Sequence, residues 1–395
     1  MQIQEPHQGK LFALFNLGFR PFFLFAALSG LLLMLLWLML LGSGQATYRY
    51  YQISQIWHGH EMLFGYAAAV IAGFLLTAVR NWTSIQTPFG AKLAGLFLFW
   101  LAARLLPLIS EFIVPLPAPL IAVTDLLFLP LVALSIGLPI IRSGNYKNLI
   151  FTVILIAMSF ANLLIHLQLL GITESTLAQG MDLELGLIVV VMVVMGGRVI
   201  PFFTERALAF EAKRFTWIEK SVIPVAFGWL IADLFQFNSV ALLLAALSAV
   251  LNLIRLAGWF KPRMRRNPLI WILHVAYLFI PLGFALEAVS GITQLSPYIA
   301  THAFAAGAIG SMTLGMMARV SLGHTARPLK LTKITVMAFI LMVAAGSVRV
   351  FMPMVPELHS LAIHISGGLW IIAWGLFLIP YTPILLKPRL DGQFG

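Results

Sequence analysis

The chain contains no cysteine and very little charge for its length. Of its 395 residues only 10% are charged and 61% are hydrophobic, whereas an ordinary soluble domain carries about 25% charged residues. The absence of cysteine excludes thiolate metal sites, iron–sulfur clusters, disulfides and covalent haem attachment through a Cys-x-x-Cys-His motif. Any bound metal is therefore held by nitrogen, oxygen or thioether ligands.

Long apolar runs take up most of the sequence and predict a membrane protein. A helix of about 20 apolar residues crosses the roughly 30 Å of a bilayer's hydrocarbon core, and twelve runs reach that length. They lie at 19–41, 54–79, 91–109, 116–140, 148–170, 182–203, 218–237, 239–260, 269–291, 297–320, 331–353 and 358–383. We expect an all-α, polytopic bundle of about twelve transmembrane helices, forming a single transmembrane domain over 1–395.

The net charge of +11 is explained by the membrane topology and does not indicate a nucleic-acid site. Successive loops between spans lie on alternate sides of the membrane. With the loops assigned in this way, 22 of the 25 lysines and arginines fall on the same side of the membrane. Arg49, Arg104 and Arg349 fall toward the other side. Because basic loops stay in the cytoplasm, an even number of spans predicts that both termini are cytoplasmic. We expect membrane lipid, and no nucleic acid, as a partner.

Six of the nine histidines lie in or beside apolar runs, and this topology places all six near the outer ends of spans. They are His58, His60, His166, His302, His359 and His364. An imidazole is costly to bury in hydrocarbon without a partner, so repeated placement at one depth favours metal ligands. Helix-to-helix hydrogen bonding is the alternative role of a membrane histidine, and it stays open for His166.

Helix geometry indicates how these histidines are shared between sites. His58 and His60 are two residues apart, about 200° around a helix, so their side chains face nearly opposite directions. His359 and His364 are five residues apart, about 140°, and cannot easily bind one ion together. Ligand sets would therefore be assembled between helices, with His302 contributing. We interpret the segment around His58 and His60 as a bridge between two metal centres.

The available ligand types narrow the choice of metal. Imidazole without thiolate suits haem iron, copper or zinc, and an apolar setting between helices suits a flat macrocycle with an axial histidine. Arg104 and Arg349 lie near outer span ends, where they would pair with haem propionates or act as interfacial anchors.

Five carboxylates also fall in outer halves or ends of spans, and intramembrane carboxylates are candidates for proton supply or for orienting ligands. They are Glu61, Asp125, Asp182, Glu184 and Glu287. We single out Glu61 and Glu287 as candidates for a proton route.

Five segments, in this order along the chain, resemble motifs of the NnrS family. They are Asn16–Phe23 (NLGFRPFF), Trp57–Met62 (WHGHEM), Gly73–Ala78 followed by Asn81–Thr83 (GFLLTA and NWT), Gly196–Thr204 (GGRVIPFFT), and the stretch from His302 to Thr325 ending in GHT. The resemblance covers nearly the whole chain. After Gly323-His324-Thr325, where the family pattern leads us to expect a second glycine, this chain has Ala326.

The resemblance implies a protein of the bacterial inner membrane that contains haem and copper and is linked to nitric oxide metabolism and nitrosative-stress resistance. It places His58, His60 and His302 within family motifs, while their roles as ligands are our interpretation. We expect non-covalent haem b and copper as cofactors, nitric oxide or another small diatomic as ligand, and an electron donor that the sequence does not identify. The architecture also resembles the catalytic subunit of haem–copper oxidases, but function does not follow from fold.

Three function classes stay open from the sequence. The first is an oxidoreductase similar to nitric oxide reductases, the second a non-catalytic nitric oxide sensor or scavenger, and the third a transporter of a metal or small anion along a histidine-lined path. A cytoplasmic group formed by Arg198, Arg319, His324 and Arg327 is either a cationic pocket or a set of topological anchors. We find no low-complexity tract and no internal sequence repeat.

Overall fold

The fold is an all-α bundle of long apolar helices, as the sequence predicts. The structure is a computed structural model that describes residues 13–43 and 47–395. Its helices are α1 Phe19–Ser43, α2 Ser54–His60, α3 Ala68–Thr83, α4 Gly90–Phe112, α5 Ala118–Arg142, α6 Leu149–Leu169, α7 Thr176–Leu208, α8 Thr216–Leu234, α9 Asn238–Trp259, α10 Pro268–Ser290, α11 Pro297–His302, α12 Gly310–His324, α13 Lys333–Phe351 and α14 His359–Leu386.

Two of the spans contain a π-helical segment in place of a continuous α-helix. Glu61–Ala67 joins α2 to α3, and Ala303–Ile309 joins α11 to α12. With these joins counted, eleven helices in the described part of the chain are long and apolar enough to cross a membrane. The predicted multi-pass architecture is therefore confirmed.

The remaining long helix is α8, which covers most of the predicted span 218–237. Its 19 residues include Glu219, Lys220 and Asp233, whereas each of the other eleven contains a stretch of 18 residues with at most two charged residues. At 1.5 Å per residue it is about 28 Å long, close to the thickness of the hydrocarbon core. Counting α8 as a span gives the twelve that the sequence predicts.

A short hairpin precedes the second span. Strands β1 (Thr47–Tyr48) and β2 (Gln52–Ile53) pair antiparallel, with Tyr48 opposite Gln52. Gln52 has a left-handed backbone, with φ of 65°. The turn between the strands carries Tyr50 and Tyr51, and both side chains are buried.

The chain divides into two compact units. The first contains the chain up to Glu184 together with Arg319–Leu329 and Phe377–Gly395. The second contains Leu185–Ala318 and Lys330–Leu376.

In the first unit, the NLGFRPFF motif forms a close contact between α1 and α3. A Cβ atom at Gly73 would lie 2.8 Å from the Cβ of Phe22, so a larger residue there would push the two helices apart. The backbone N–H of Phe19 donates to the hydroxyl of Thr77 at 3.0 Å. Arg20 is fully buried and donates to the carbonyls of Leu385 and Lys387, both at 2.8 Å, which satisfies acceptors at the end of α14.

In the second unit, the paired glycines of the GGRVIPFFT motif make room for a buried arginine and a tyrosine. A side chain at Gly197 would collide with the guanidinium of Arg255, and one at Gly196 would collide with the ring of Tyr277. Arg255 donates to the Val193 carbonyl at 2.8 Å and forms an ion pair with Glu219. These glycines therefore allow close helix packing, as expected of small residues in membrane helices.

Candidate metal centre

Three side chains from three helices meet in the interior of the first unit. They are His60 at the end of α2, Asp125 on α5 and His166 on α6, all buried, and one ligand atom from each lies within 4.8 Å of the others. Nε2 of His166 is 2.9 Å from Oδ2 of Asp125, and Nε2 of His60 is 3.2 Å from the same oxygen. Two imidazoles thus converge on one carboxylate oxygen.

Two tyrosines of the hairpin hydrogen-bond to Nδ1 of His60 and of His166, the ring nitrogens that do not face Asp125. The Tyr51 hydroxyl lies 2.9 Å from Nδ1 of His60, and the Tyr50 hydroxyl lies 2.7 Å from Nδ1 of His166. Burial raises the pKa of both phenols above the usual range, so both hydroxyls stay neutral. Each imidazole is therefore fixed in orientation by a tyrosine behind it, and each directs Nε2 toward Asp125.

A buried arginine pairs with both carboxylates of the cluster. Arg104 on α4 forms an ion pair with Asp125, and its other terminal nitrogen donates to Oε1 of Glu61 at 2.9 Å. Asn162 on α6 donates to Oδ2 of Asp125 at 2.9 Å. Because one guanidinium bridges two carboxylates, Asp125 stays ionised in a fixed position at the centre of the cluster.

The charges of this cluster leave it one negative charge in excess. Asp125 and Glu61 contribute two negative charges and Arg104 contributes one positive charge, while the two histidines are neutral when they act as ligands. A net charge buried in a medium of low dielectric constant is costly. The cluster is therefore suited to a cation, which is either a proton on an imidazole or a metal ion.

The π-helical segment places Glu61 beside His60 and depends on a glycine. A Cβ atom at Gly65 would lie 2.8 Å from Oε2 of Glu61 and 3.0 Å from Nη1 of Arg104. Trp100 donates from Nε1 to the carbonyl of Gly65 at 2.8 Å. π-Helical segments of this kind are frequent at functional sites, and here the segment allows α4 and its arginine to come close.

Among the predicted metal ligands, the structure brings His60 and His166 together and separates His58 from them. His58 stacks on Trp37, with ring centroids 4.5 Å apart and planes 10° apart. Its ring therefore contacts α1, whereas the ring of His60 contacts α6, which agrees with the angle that separates them on the helix. His60, Asp125 and His166 form the one group of three potential ligands found among the described residues.

The other predicted ligands lie in the second unit. Nδ1 of His302 is 2.6 Å from the Tyr298 carbonyl, and Nδ1 of His364 is 2.8 Å from the Ser360 carbonyl, each one turn earlier in the same helix. His359 is exposed at the start of α14.

The structure also places the four remaining predicted site residues, Arg104, Glu61, Arg349 and Glu287. Arg104, predicted to be either a propionate partner or an interfacial anchor, binds Asp125 and Glu61. Glu61, a candidate for a proton route, is paired with that arginine. Arg349 on α13 and Glu287 on α10 belong to the second unit.

The predicted cytoplasmic group is divided between the units. Arg198 belongs to the second unit, whereas Arg319, His324 and Arg327 belong to the first. The ring of His324 packs against Phe19, with centroids 5.7 Å apart. Its carbonyl accepts a hydrogen bond from Arg389 at 3.3 Å, so the GHT motif contacts the end of the chain.

Sequence reasoning recognised Asp125 only as an intramembrane carboxylate and did not select the residues that orient the ligands. Those residues are Tyr50, Tyr51 and Asn162. One signal was present, because Asn162 and His166 are four residues apart and share a helix face. The role of the two tyrosines could not be predicted from the sequence, because it depends on how the hairpin folds over the site.

The comparison with protein families agrees with the motifs. No curated protein matches this chain. The family model described as NnrS protein matches residues 13–389, which include both histidines of the cluster, its aspartate and its arginine. The chain is a multi-pass membrane protein that belongs to the NnrS family.

Proposed function

We propose that His60, Asp125 and His166 form a metal centre in a nitric-oxide-handling protein of the bacterial inner membrane. The observation that carries this proposal is the convergence of two buried imidazoles on one buried carboxylate, with a tyrosine behind each ring. Family membership supports the link to nitric oxide, and the helix architecture supports residence in the membrane.

The geometry of the three side chains suits a small metal ion. In a tetrahedral site with ligands about 2.0–2.1 Å from the metal, neighbouring ligand atoms lie roughly 3.3–3.4 Å apart. Asp125 Oδ2 lies 2.9 Å from Nε2 of His166 and 3.2 Å from Nε2 of His60. The two nitrogen–oxygen distances are therefore within a few tenths of an ångström of those in such a site, and the two imidazole nitrogens lie within 4.8 Å of each other. Two imidazoles and a carboxylate suit copper or zinc, and we propose copper.

The surrounding residues prepare the ligands for this role. A histidine that binds a metal through Nε2 carries its proton on Nδ1, and the hydroxyls of Tyr50 and Tyr51 can accept that proton in a hydrogen bond. Tyr51 can in turn donate to Oε1 of Glu61, which lies 3.4 Å away. Arg104 keeps Asp125 ionised. A bound copper ion would supply a position for a diatomic ligand and a site for electron transfer.

For haem, we propose that His302 would supply a nitrogen ligand to the iron. Its Nδ1 is hydrogen-bonded to a backbone carbonyl of its own helix, an arrangement that fixes the tautomer so that Nε2 would be the ligand atom. The side chain is partly exposed, unlike that of His60. Arg349 in the same unit remains our candidate for a propionate partner.

The burial of the cluster favours a fixed centre over a transport path. His60 and His166 have no exposed surface, and Asp125 is only 4% exposed. A transported ion would need to leave this cluster repeatedly, whereas a resident ion is held better by ligands that are enclosed and locked in orientation. We therefore favour a resident metal that binds or reduces nitric oxide.

Metal analysis of purified variants tests this proposal. We expect His60→Ala and His166→Ala to reduce copper content by about one ion per chain, because each removes a ligand. His359→Ala, an exposed histidine in the second unit, is the matched control and should retain copper. Unchanged copper in all three variants would contradict the metal centre.

Nitric oxide consumption by reduced protein then separates the two remaining functions. Steady consumption with an artificial electron donor would show a reductase, and binding of one equivalent without turnover would show a sensor or scavenger. Either activity should be lost in His60→Ala.

A further inference from the structure

Five basic side chains of the first unit lie within about one helical turn of the end of an apolar helix. Arg20 is in the first turn of α1, and Arg80 is in the last turn of α3. His324 ends α12, and Arg327 and Arg389 follow the ends of α12 and α14 by three residues each. The sequence predicts that all of these helix ends are cytoplasmic, which places them near the lipid phosphates. We call these five residues the arginine group.

Phe19 joins the buried members of the arginine group. The guanidinium carbon of Arg20 lies 5.3 Å from the centroid of the Phe19 ring, and the centroid of the His324 ring lies 5.7 Å from it. The Phe19 N–H donates to the Thr77 hydroxyl at 3.0 Å, and Arg80 follows Thr77 by three residues on the same face of α3. Arg20 is fully buried and Arg80 is 8% exposed. Two guanidinium groups are therefore enclosed near one imidazole.

A left-handed turn after α12 brings Arg327 back toward the helix end. The Arg327 N–H donates to the Leu322 carbonyl at 3.0 Å, and Ala326 has a φ of 56°. Helices often end in this way on a left-handed glycine, and here an alanine takes that conformation. The guanidinium of Arg327 consequently lies 3.4 Å from the Thr325 carbonyl oxygen.

The segment after α14 places Arg389 beside Arg327. Arg389 donates to the His324 carbonyl at 3.3 Å, and the N–H of Leu390 donates to the Thr325 carbonyl at 3.2 Å. Because Arg327 and Arg389 bond to the carbonyls of consecutive residues, their guanidinium groups are neighbours. Both side chains are partly exposed, so both are accessible to a ligand.

Two members of the arginine group have no acidic partner among the side chains that the structure describes. Arg20 bonds to main-chain carbonyls, its Nε is buried without a hydrogen bond to a described residue, and Arg327 bonds only to the Thr325 carbonyl. Arg389 pairs with Asp391. Guanidinium groups that converge in a partly enclosed place repel one another, so an additional anion would stabilise them. The positive-inside rule requires basic residues on one side of the membrane, but it requires neither their convergence nor their burial.

We propose that the arginine group binds a phosphate group, and that this phosphate belongs to the headgroup of an anionic membrane lipid. Guanidinium groups bind phosphate oxygens in a paired geometry, and basic pockets between membrane helices on the cytoplasmic side bind lipid headgroups. Arg327 and Arg389 contact the phosphate from the exposed side, while Arg20 and Arg80 add positive charge from the interior. A lipid bound here joins the ends of four helices. This site does not depend on the proposed metal centre.

Lipid titration of the full-length protein tests this site. The protein is purified in a neutral detergent, stripped of lipid and titrated with dioleoyl phosphatidylglycerol, and bound lipid is counted by native mass spectrometry. We expect phosphatidylglycerol to bind more tightly than zwitterionic phosphatidylcholine. Arg327→Gln should weaken phosphatidylglycerol binding about tenfold, because it removes hydrogen bonds to a charged group. The matched control Lys387→Gln removes the same charge from an exposed side chain near Arg389 and should bind lipid as wild type does.

A second variant and a competitor complete the test. Arg327→Lys keeps the charge but loses the paired geometry, so its affinity should lie between those of wild type and Arg327→Gln. An unfolding temperature equal to that of wild type, measured without lipid, shows that each variant is folded. Retention of phosphatidylglycerol in the presence of millimolar inorganic phosphate supports a lipid headgroup, whereas its displacement would overturn the lipid assignment in favour of free phosphate. Equal phosphatidylglycerol affinity in wild type and all three variants, or equal affinity of wild type for the two lipids, would overturn the site.

Discussion

The span that carries His60 and the span that carries His302 have closely similar backbones. In each, a short α-helix ends at the histidine and a seven-residue π-helical segment follows. Both contain the pattern His-x4-Gly-x7-Gly, with Gly65 and Gly73 in one and Gly307 and Gly315 in the other. The shared positions are so few that they do not stand out as a sequence repeat.

The surroundings of the two histidines differ. His60 is fully buried, and its ring nitrogens contact Tyr51, Asn162 and Asp125 from three other elements. Nδ1 of His302 instead bonds a carbonyl of its own helix, and the side chain is partly exposed. The local backbone therefore determines where a histidine is presented. Polar residues from neighbouring helices determine whether it becomes part of a three-ligand cluster.

The largest expected effect comes from removing the charge at the centre of the first site. Asp125→Asn would leave Arg104 with one carboxylate partner and His166 without an anionic partner, which costs about 3–5 kcal/mol for a buried pair. We expect loss of copper and a lower unfolding temperature, measured by metal analysis and thermal unfolding. Asp182→Asn should change neither, and equal effects of the two variants would show that the cluster contributes nothing specific.

Each of the two spans has a glycine five residues after its histidine, and substituting these glycines tests the difference between the spans. At Gly65 an added methyl group would meet Glu61 and Arg104, and at Gly307 it would meet the ring of Phe279. Both Gly65→Ala and Gly307→Ala should destabilise by about 1–3 kcal/mol through overpacking. Only Gly65→Ala should also weaken copper binding, as measured by competition with a chelator. Equal losses of copper affinity would argue against a site confined to the first unit.

Removing the tyrosine hydroxyls tests the orientation of the ligands. Tyr50→Phe and Tyr51→Phe keep the rings but remove the partners of Nδ1, and loss of such a partner typically lowers metal affinity about 10–100-fold. The matched control is Tyr298→Phe, because Tyr298 is exposed and meets His302 through its carbonyl and not its hydroxyl. Copper affinity that is unchanged in Tyr50→Phe and Tyr51→Phe would contradict the orienting role.

The smallest effect expected is a dependence of stability on alkaline pH. The pKa values of Tyr50 and Tyr51 are raised by burial, so folding favours the protonated phenols. Their contribution is complete below the unfolded value of about 10 and declines as the pH rises above it. Thermal unfolding between pH 8 and pH 11 should therefore show falling stability. The slope should be shallower in Tyr51→Phe, and an identical slope would exclude this contribution.

Much of the fold could be predicted from the sequence, because an apolar run long enough to cross a membrane strongly indicates a transmembrane helix. The long apolar runs became long helices, and the run at 218–237, which contains Glu219, Lys220 and Asp233, formed α8. The two π-helical segments were not predictable, since they depend on contacts such as that of Gly65 with Arg104.

The site was predicted only in part. His60 and His166 could be selected, because a buried polar side chain in an apolar run requires a partner. Their partner Asp125 could not be chosen from among five carboxylates, because the choice depends on which helices pack together. The carboxylate partners of Arg104 could not be predicted for the same reason, since Glu61 in the π-helical segment and Asp125 on α5 are distant from it in sequence.

X-ray absorption at the copper edge of purified protein tests the central claim most directly. The account predicts two imidazole nitrogens and one carboxylate oxygen at about 2.0–2.2 Å from the metal, with one imidazole lost in His166→Ala and none lost in His359→Ala. A copper environment that is the same in wild type and His166→Ala would contradict a centre built on His60, Asp125 and His166.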